Sequence, residues 1–144
     1  MKRMAVAALL FAACAATAPR ATLVFDKEPQ LGAIVPLRNA PSQLWLTAPS
    51  QMSPSYVVSF NGIRYVIALD ALDRIRYIET TDDAFRTRDG LRVGASEADV
   101  LAAAGQAAVE EPGFGRYSHL QSGWNAHYGV GDDAQTVISF FKRQ

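Results

Sequence analysis

The stretch Thr87–Gly105, TRDGLRVGASEADVLAAAG, constrains this chain more than any other, because a turn, a short strand, a helix start and a helix stop succeed one another within it. Asp89-Gly90 is a turn dipeptide, glycine taking the positive φ that a tight turn demands. Leu91 and Val93 alternate with Arg92 as a short extended piece. Ser96 stands where a helix cap accepts from an orphan N–H of the first turn. Asp99, three residues on, makes a carboxylate form of the capping box and sets negative charge at the positive end of the helix. Val100, Leu101 and Ala104 give an apolar stripe, and Gly105 falls where a C′ glycine ends a helix. A helix of about two to three turns does not hold alone in water, so it must lie on something else, and the residues after Gly105 are strand-like.

Strand signals recur on both sides of this stretch. Tyr56–Phe60, Asn61-Gly62 and Ile63–Leu69 spell a β-hairpin, since Asn-Gly between alternating apolar runs is a strong hairpin signal. Arg74–Thr80 supplies a third strand, read with Ile75 and Tyr77 on one face and Arg74 and Arg76 on the other. Gly115–Leu120, Trp124–Val130 and Thr136–Lys142 come in the same order, separated by Ser122-Gly123 and Gly131-Asp132-Asp133. Further upstream, Asn39 reads as a helix cap with Pro41 in the first turn and Leu44-Trp45 as an apolar pair. An offset of 56 residues sets Leu37 on Val93, Val35 on Leu91 and Leu44 on Val100. The expectation is an α+β fold of two helix-plus-three-stranded-meander repeats, at about 31–80 and 86–142, sharing one antiparallel sheet with the helices on one face.

The pattern Phe85-x-Thr87-x-x-Gly90-Leu91-x-Val93-Gly94-x-Ser96, with its Val100-Leu101 helix and closing glycine, resembles the helix-then-meander repeat of the β-lactamase-inhibitor-protein-like fold. That fold also occurs in small envelope lipoproteins of the outer-membrane assembly type. The resemblance covers roughly Gly32–Lys142 when both repeats are counted, and firmly Phe85–Gly105. It implies action by binding another protein. The chain departs from the inhibitor in having no disulfide, and from the assembly lipoprotein in having two repeats.

The chain begins with the marks of export. Met1-Lys2-Arg3 is a basic n-region, and Met4–Ala13 is an apolar run too short to span a bilayer but suited to a secretory signal. The run ends at Phe11-Ala12-Ala13-Cys14, which resembles the lipobox of bacterial lipoproteins, with Phe11 where an aliphatic residue is usual. Two processing routes stay open: acylation of Cys14, or cleavage nearby, as after Ala15. Residues 1–14 are thus read as a signal peptide with a lipobox cysteine, 15–30 as a tether in which Leu23-Val24-Phe25 makes a first strand or a strap, and 31–144 as one domain. The implied location is the periplasm, anchored to the outer membrane through a lipid on Cys14. Cys14 being the only cysteine, no disulfide forms within a monomer, and packing alone must hold the domain.

Charge excludes one class of partner. Lysine and arginine number 14 against 14 acidic residues, and loss of Lys2 and Arg3 with a leader leaves a net of −2, so nothing calls for nucleic acid. No cofactor motif is present. His119 and His127 fall on the second meander, where with Asp132 and Asp133 they raise the alternative of a metal or small hydrolase site. The reading favoured over it is a non-catalytic module for another envelope protein. A structural lipoprotein with no dedicated partner is the other alternative. If Tyr65, Ile67, Trp124 and Tyr128 face the helices, then Arg64, Arg74, Arg76, Asn125 and His127 face away, joined by His119, as an open docking face. Trp45, Tyr65, Leu101, Trp124 and Tyr128 are the expected core.

Overall fold

The computed structural model describes residues 22–37, 39–103 and 105–144; the leader, Cys14 and most of the tether lie outside them. The chain runs β1 (Leu23–Val24), β2 (Gln43–Ala48), β3 (Gln51–Phe60), β4 (Ile63–Leu69), β5 (Ile75–Thr80), α1 (Glu97–Ala102), β6 (Val109–Glu111), β7 (Gly115–His119), β8 (Asn125–Tyr128) and β9 (Val137–Arg143). One nine-stranded sheet results, ordered β1-β3-β4-β5-β9-β8-β7-β6, with β2 beside the first half of β3. The pairs are antiparallel apart from β1 on β3.

This corrects the expected α+β class and the tandem-repeat resemblance. The two meanders are present, β3-β4-β5 and β7-β8-β9, and they join through their last strands. The helices are not: α1 is six residues long, and the segment read as a helix from Asn39 is strand β2. The physical reason is the partner that residues 51–55 supply to Gln43–Ala48, which turns Trp45 and Thr47 inward and leaves Leu44 65 % exposed. Pro54 is tolerated within β3 because β4 pairing stops at Ser55, leaving only β2 beside it.

Where helices were expected to cover the sheet, two irregular segments do so. Phe25, Leu31, Val35 and Leu37 from the connection before β2, and Phe85, Leu91, Ala95 and Val100 from the crossover after β5, pack onto one cluster with Tyr56, Val58, Tyr65, Ile67, Trp124, Tyr128 and Phe140. The first segment is pinned along the start of β5 by Gly32 N–H to Ile75 O at 2.8 Å and Val35 N–H to Asp73 O at 2.8 Å. α1 is capped as its residues foretell, Ser96 Oγ accepting from Asp99 N–H at 3.1 Å and Asp99 accepting from Ser96 N–H at 3.0 Å. Gly105 closes it one place later than a C′ glycine, donating to Val100 O at 2.9 Å in the six-to-one bond of a Schellman end. So short a helix turns a single residue fully inward, Val100, and Leu101 is 49 % exposed rather than core.

A bulge decides what lies on the other face. Ala68 pairs with Tyr77 and Leu69 with Ile75, so Arg76 is an extra residue on β5. Ile75 therefore joins the main cluster while Tyr77 turns to the opposite one, against the expectation that they share a face. That second cluster holds Ala68, Tyr77, Tyr117 and Phe141, with Trp45 and Phe114 packed against it.

Candidate functional site

The face opposite the straps is neither open nor uniformly basic. Strand β2 and the β6–β7 turn lean over it from the two ends of the strand order, and a Cβ on Gly113 would lie 3.6 Å from Pro49 Cβ. The sheet is curled, and its inner side is aromatic.

Two carboxylates sit on this inner side in contrasting company. Glu111 of β6 pairs with the Arg143 guanidinium, which also donates to Tyr117 Oη at 2.9 Å. The guanidinium carbon of Arg143 lies 4.6 Å from the Phe114 ring centre, 5.3 Å from Tyr117 and 5.7 Å from Phe141. Its Nη1 is buried with no hydrogen-bond partner among the described residues. A chain arginine is thus held by one carboxylate and three rings.

Glu79 of β5 has the rings without the cation. The register sets Val57, Val66, Glu79 and Phe141 in one row across β3, β4, β5 and β9. Trp45, leaning in from β2, donates Nε1–H to Glu79 Oε2 at 2.9 Å, and Tyr77 Oη–H donates to the same oxygen at 3.0 Å. Glu79 is 9 % exposed, and no described lysine, arginine or histidine lies within ion-pair distance of it. Its charge is felt nearby: burial first, then the Glu79 carboxylate, push the Tyr77 phenol far above its ordinary value. Above it opens a cavity of about 350 Å³, lined by Trp45, Val57, Arg64, Tyr65, Val66, Glu79, Thr81, Asp82 and Asp83. The backbone N–H groups of Arg64 and Ala84 hold Asp82 below the ordinary carboxylate value. Among the described residues, three carboxylates and one guanidinium line this cavity.

The structure separates the residues expected to form a docking face. Arg64, His119, Asn125 and His127 do share the inner side by register. Arg64 is at the cavity rim, Asn125 donates to Phe141 O at 3.2 Å, and His119 is exposed with its ring edge on Tyr117. His127 is stacked on Phe114 with ring centres 5.0 Å apart, and its Nε2 lies 3.2 Å from Phe114 O. Arg74 and Arg76 stand apart, both donating to Asp70 at the β4–β5 turn, at 3.0 and 2.8 Å. Burial alone raises the Asp70 carboxyl, yet the Arg74 N–H, the Arg76 guanidinium, the Leu72 N–H and the Arg74 guanidinium together hold it well below the usual carboxylate range. The two histidines are not directly opposite each other, His119 facing Asn125 and His127 facing Tyr117 across the β7–β8 pair, and no group of three or more His, Cys, Asp or Glu among the described residues is placed to hold a metal ion.

Trp45 and Glu79 are the residues that sequence reasoning missed. Tyr77 and Glu79, two apart on one strand, carried a signal; Trp45 was hidden by its assignment to a helix. No protein-family profile, curated protein or solved structure matches the chain.

Proposed function

We propose that this protein is exported and works without catalysis, binding another envelope protein through the inner side of its curled sheet. The basic-then-apolar stretch Met1–Ala13 supports export, and Cys14 at its end supports a lipid anchor in the outer membrane facing the periplasm. The observation that carries the binding reading is the cleft over Glu79, about 350 Å³ in volume, with an indole wall, a valine floor and a charged rim. That volume lies within the range of ligand-sized clefts. Tryptophan and arginine, both present here, are the side chains that most often anchor protein interfaces. Strands on either side fix these groups, so a partner meets a preformed surface.

Site-specific photo-crosslinking in the producing cell tests this. A crosslinker in place of Thr81, exposed at the cleft mouth, is expected to give one discrete adduct, and one in place of Ala98, exposed on α1, is expected to give none. Equal adducts from both positions, or none from position 81, would leave a structural protein without a dedicated partner as the better account.

A further inference from the structure

The inner side of the sheet contains its own template for what the cleft lacks. Arg143 shows that a carboxylate, Glu111, together with Phe114, Tyr117 and Phe141, holds a guanidinium there. One row away, Glu79 has the same kind of surroundings, an indole and a phenol, but no cation among the described residues. Buried carboxylates are ordinarily paired, because neutral donors offset only part of the cost of taking the charge out of water. Both neutral donors converge on Oε2, and no described residue donates to Oε1. The cavity that opens over it has, among the described residues, Asp82 and Asp83 on its rim against Arg64.

We propose that this cavity receives the guanidinium of an arginine side chain presented by the protein partner. This rests on the partner-binding reading above and names the group recognised. The planar head would lie against the Trp45 indole while donating to Glu79 Oε1. Its remaining N–H groups would be left for Asp82 and Asp83. Arginine fits better than lysine because a flat, multiply donating cation can stack and hydrogen-bond at once, whereas an ammonium is a strongly hydrated point charge. Arg64 lines the rim, exposed and on the same face, so the partner's cation must outcompete it for the carboxylates.

The test uses a blocked glycyl-arginyl-glycine peptide and its citrulline isostere, which keeps the shape and loses the charge. Binding is followed by the indole N–H resonance of Trp45, with that of Trp124, buried on the other face, as internal reference. The arginine peptide should shift the Trp45 resonance saturably and leave Trp124 unmoved, and the citrulline peptide should bind at least about tenfold more weakly. Glu79→Gln, which keeps an acceptor for Trp45 and Tyr77, should weaken arginine binding by a similar factor. Equal binding of the two peptides, or an unmoved Trp45 resonance, overturns the inference. The peptide comparison is made on the unaltered protein, so it decides even if Glu79→Gln fails to fold. Crosslinking from position 81 that persists while the two peptides bind alike refutes the cation and spares the docking site. Arginine binding without a crosslink refutes the docking reading alone.

Discussion

At His127 two demands oppose each other. Burial beneath Phe114 disfavours the charged ring, while the Glu79 carboxylate and the Phe114 carbonyl favour it and the Arg143 charge disfavours it again. Burial wins, and the imidazole sits below its ordinary value of 6.5. A base depressed in the folded state binds its proton more readily when unfolded, so its effect on stability takes the sign of a rise with pH. Stability attached to His127 is complete above the ordinary histidine value and is lost as pH falls from there towards the folded value. Urea midpoints taken from neutral pH downward should therefore decline more steeply in the parent than in His127→Phe, which keeps the stack and removes the proton site. Identical slopes would mean that the ring is hydrated and free. The same packing explains Gly115: a Cβ there would lie 2.8 Å from His127 Nε2, and the ring, held between Phe114 and Phe141, has little room to yield.

Among the elements, α1 depends on its ends more than on its length. Its six residues are too few for propagation to offset nucleation, so Val100 burial and the reciprocal Ser96–Asp99 bonds must hold it in place. Ser96→Ala removes one of those bonds and should cost about 1 kcal/mol, read as a fall in the denaturant midpoint with an unchanged slope. An unchanged midpoint would show that the crossover is held by Phe85 and Leu91 alone. This cap, and the hairpin at Asn61-Gly62 with φ of 51° and 79°, were legible in the sequence because each is settled within four residues. The strands of both meanders were legible by alternation. What misled was the segment from Asn39 to Trp45, whose cap-like asparagine and proline read as a helix start although its fate was set by a partner strand at residues 51–55. The bulge at Arg76 was equally invisible, since it depends on how β4 and β5 align. Of the residues expected on a docking face, Arg64, His119, Asn125 and His127 lie on the side opposite the main cluster, as the pleat implied. That β2 folds Trp45 over Glu79 depends on curvature of the whole sheet, which no local pattern encodes.

At the scale of the molecule, the two faces carry two apolar clusters, and a single strand serves both. On β9, Phe140 belongs to the main cluster and Phe141 to the inner one, and both are fully buried. The strand pairs β5 on one side and β8 on the other, so it also joins the two meanders. Neither cluster can lose its packing without exposing a phenylalanine of this shared strand and opening the middle of the sheet. The clusters are therefore expected to unfold as one unit, though a small cluster under leaning strands is the kind of place where local opening often begins. The two tryptophans report on one face each, Trp124 on the main cluster and Trp45 on the inner one. With 5-fluorotryptophan in place of both, the two native fluorine resonances should disappear at the same urea concentration. Phe141→Ala, which should cost roughly 3–5 kcal/mol as a buried aromatic truncation, should lower both midpoints together although it touches only the inner cluster. Loss of the Trp45 resonance at clearly lower urea than that of Trp124 would show instead that the inner side opens separately, and that the cleft over Glu79 is a mobile flap rather than a preformed surface.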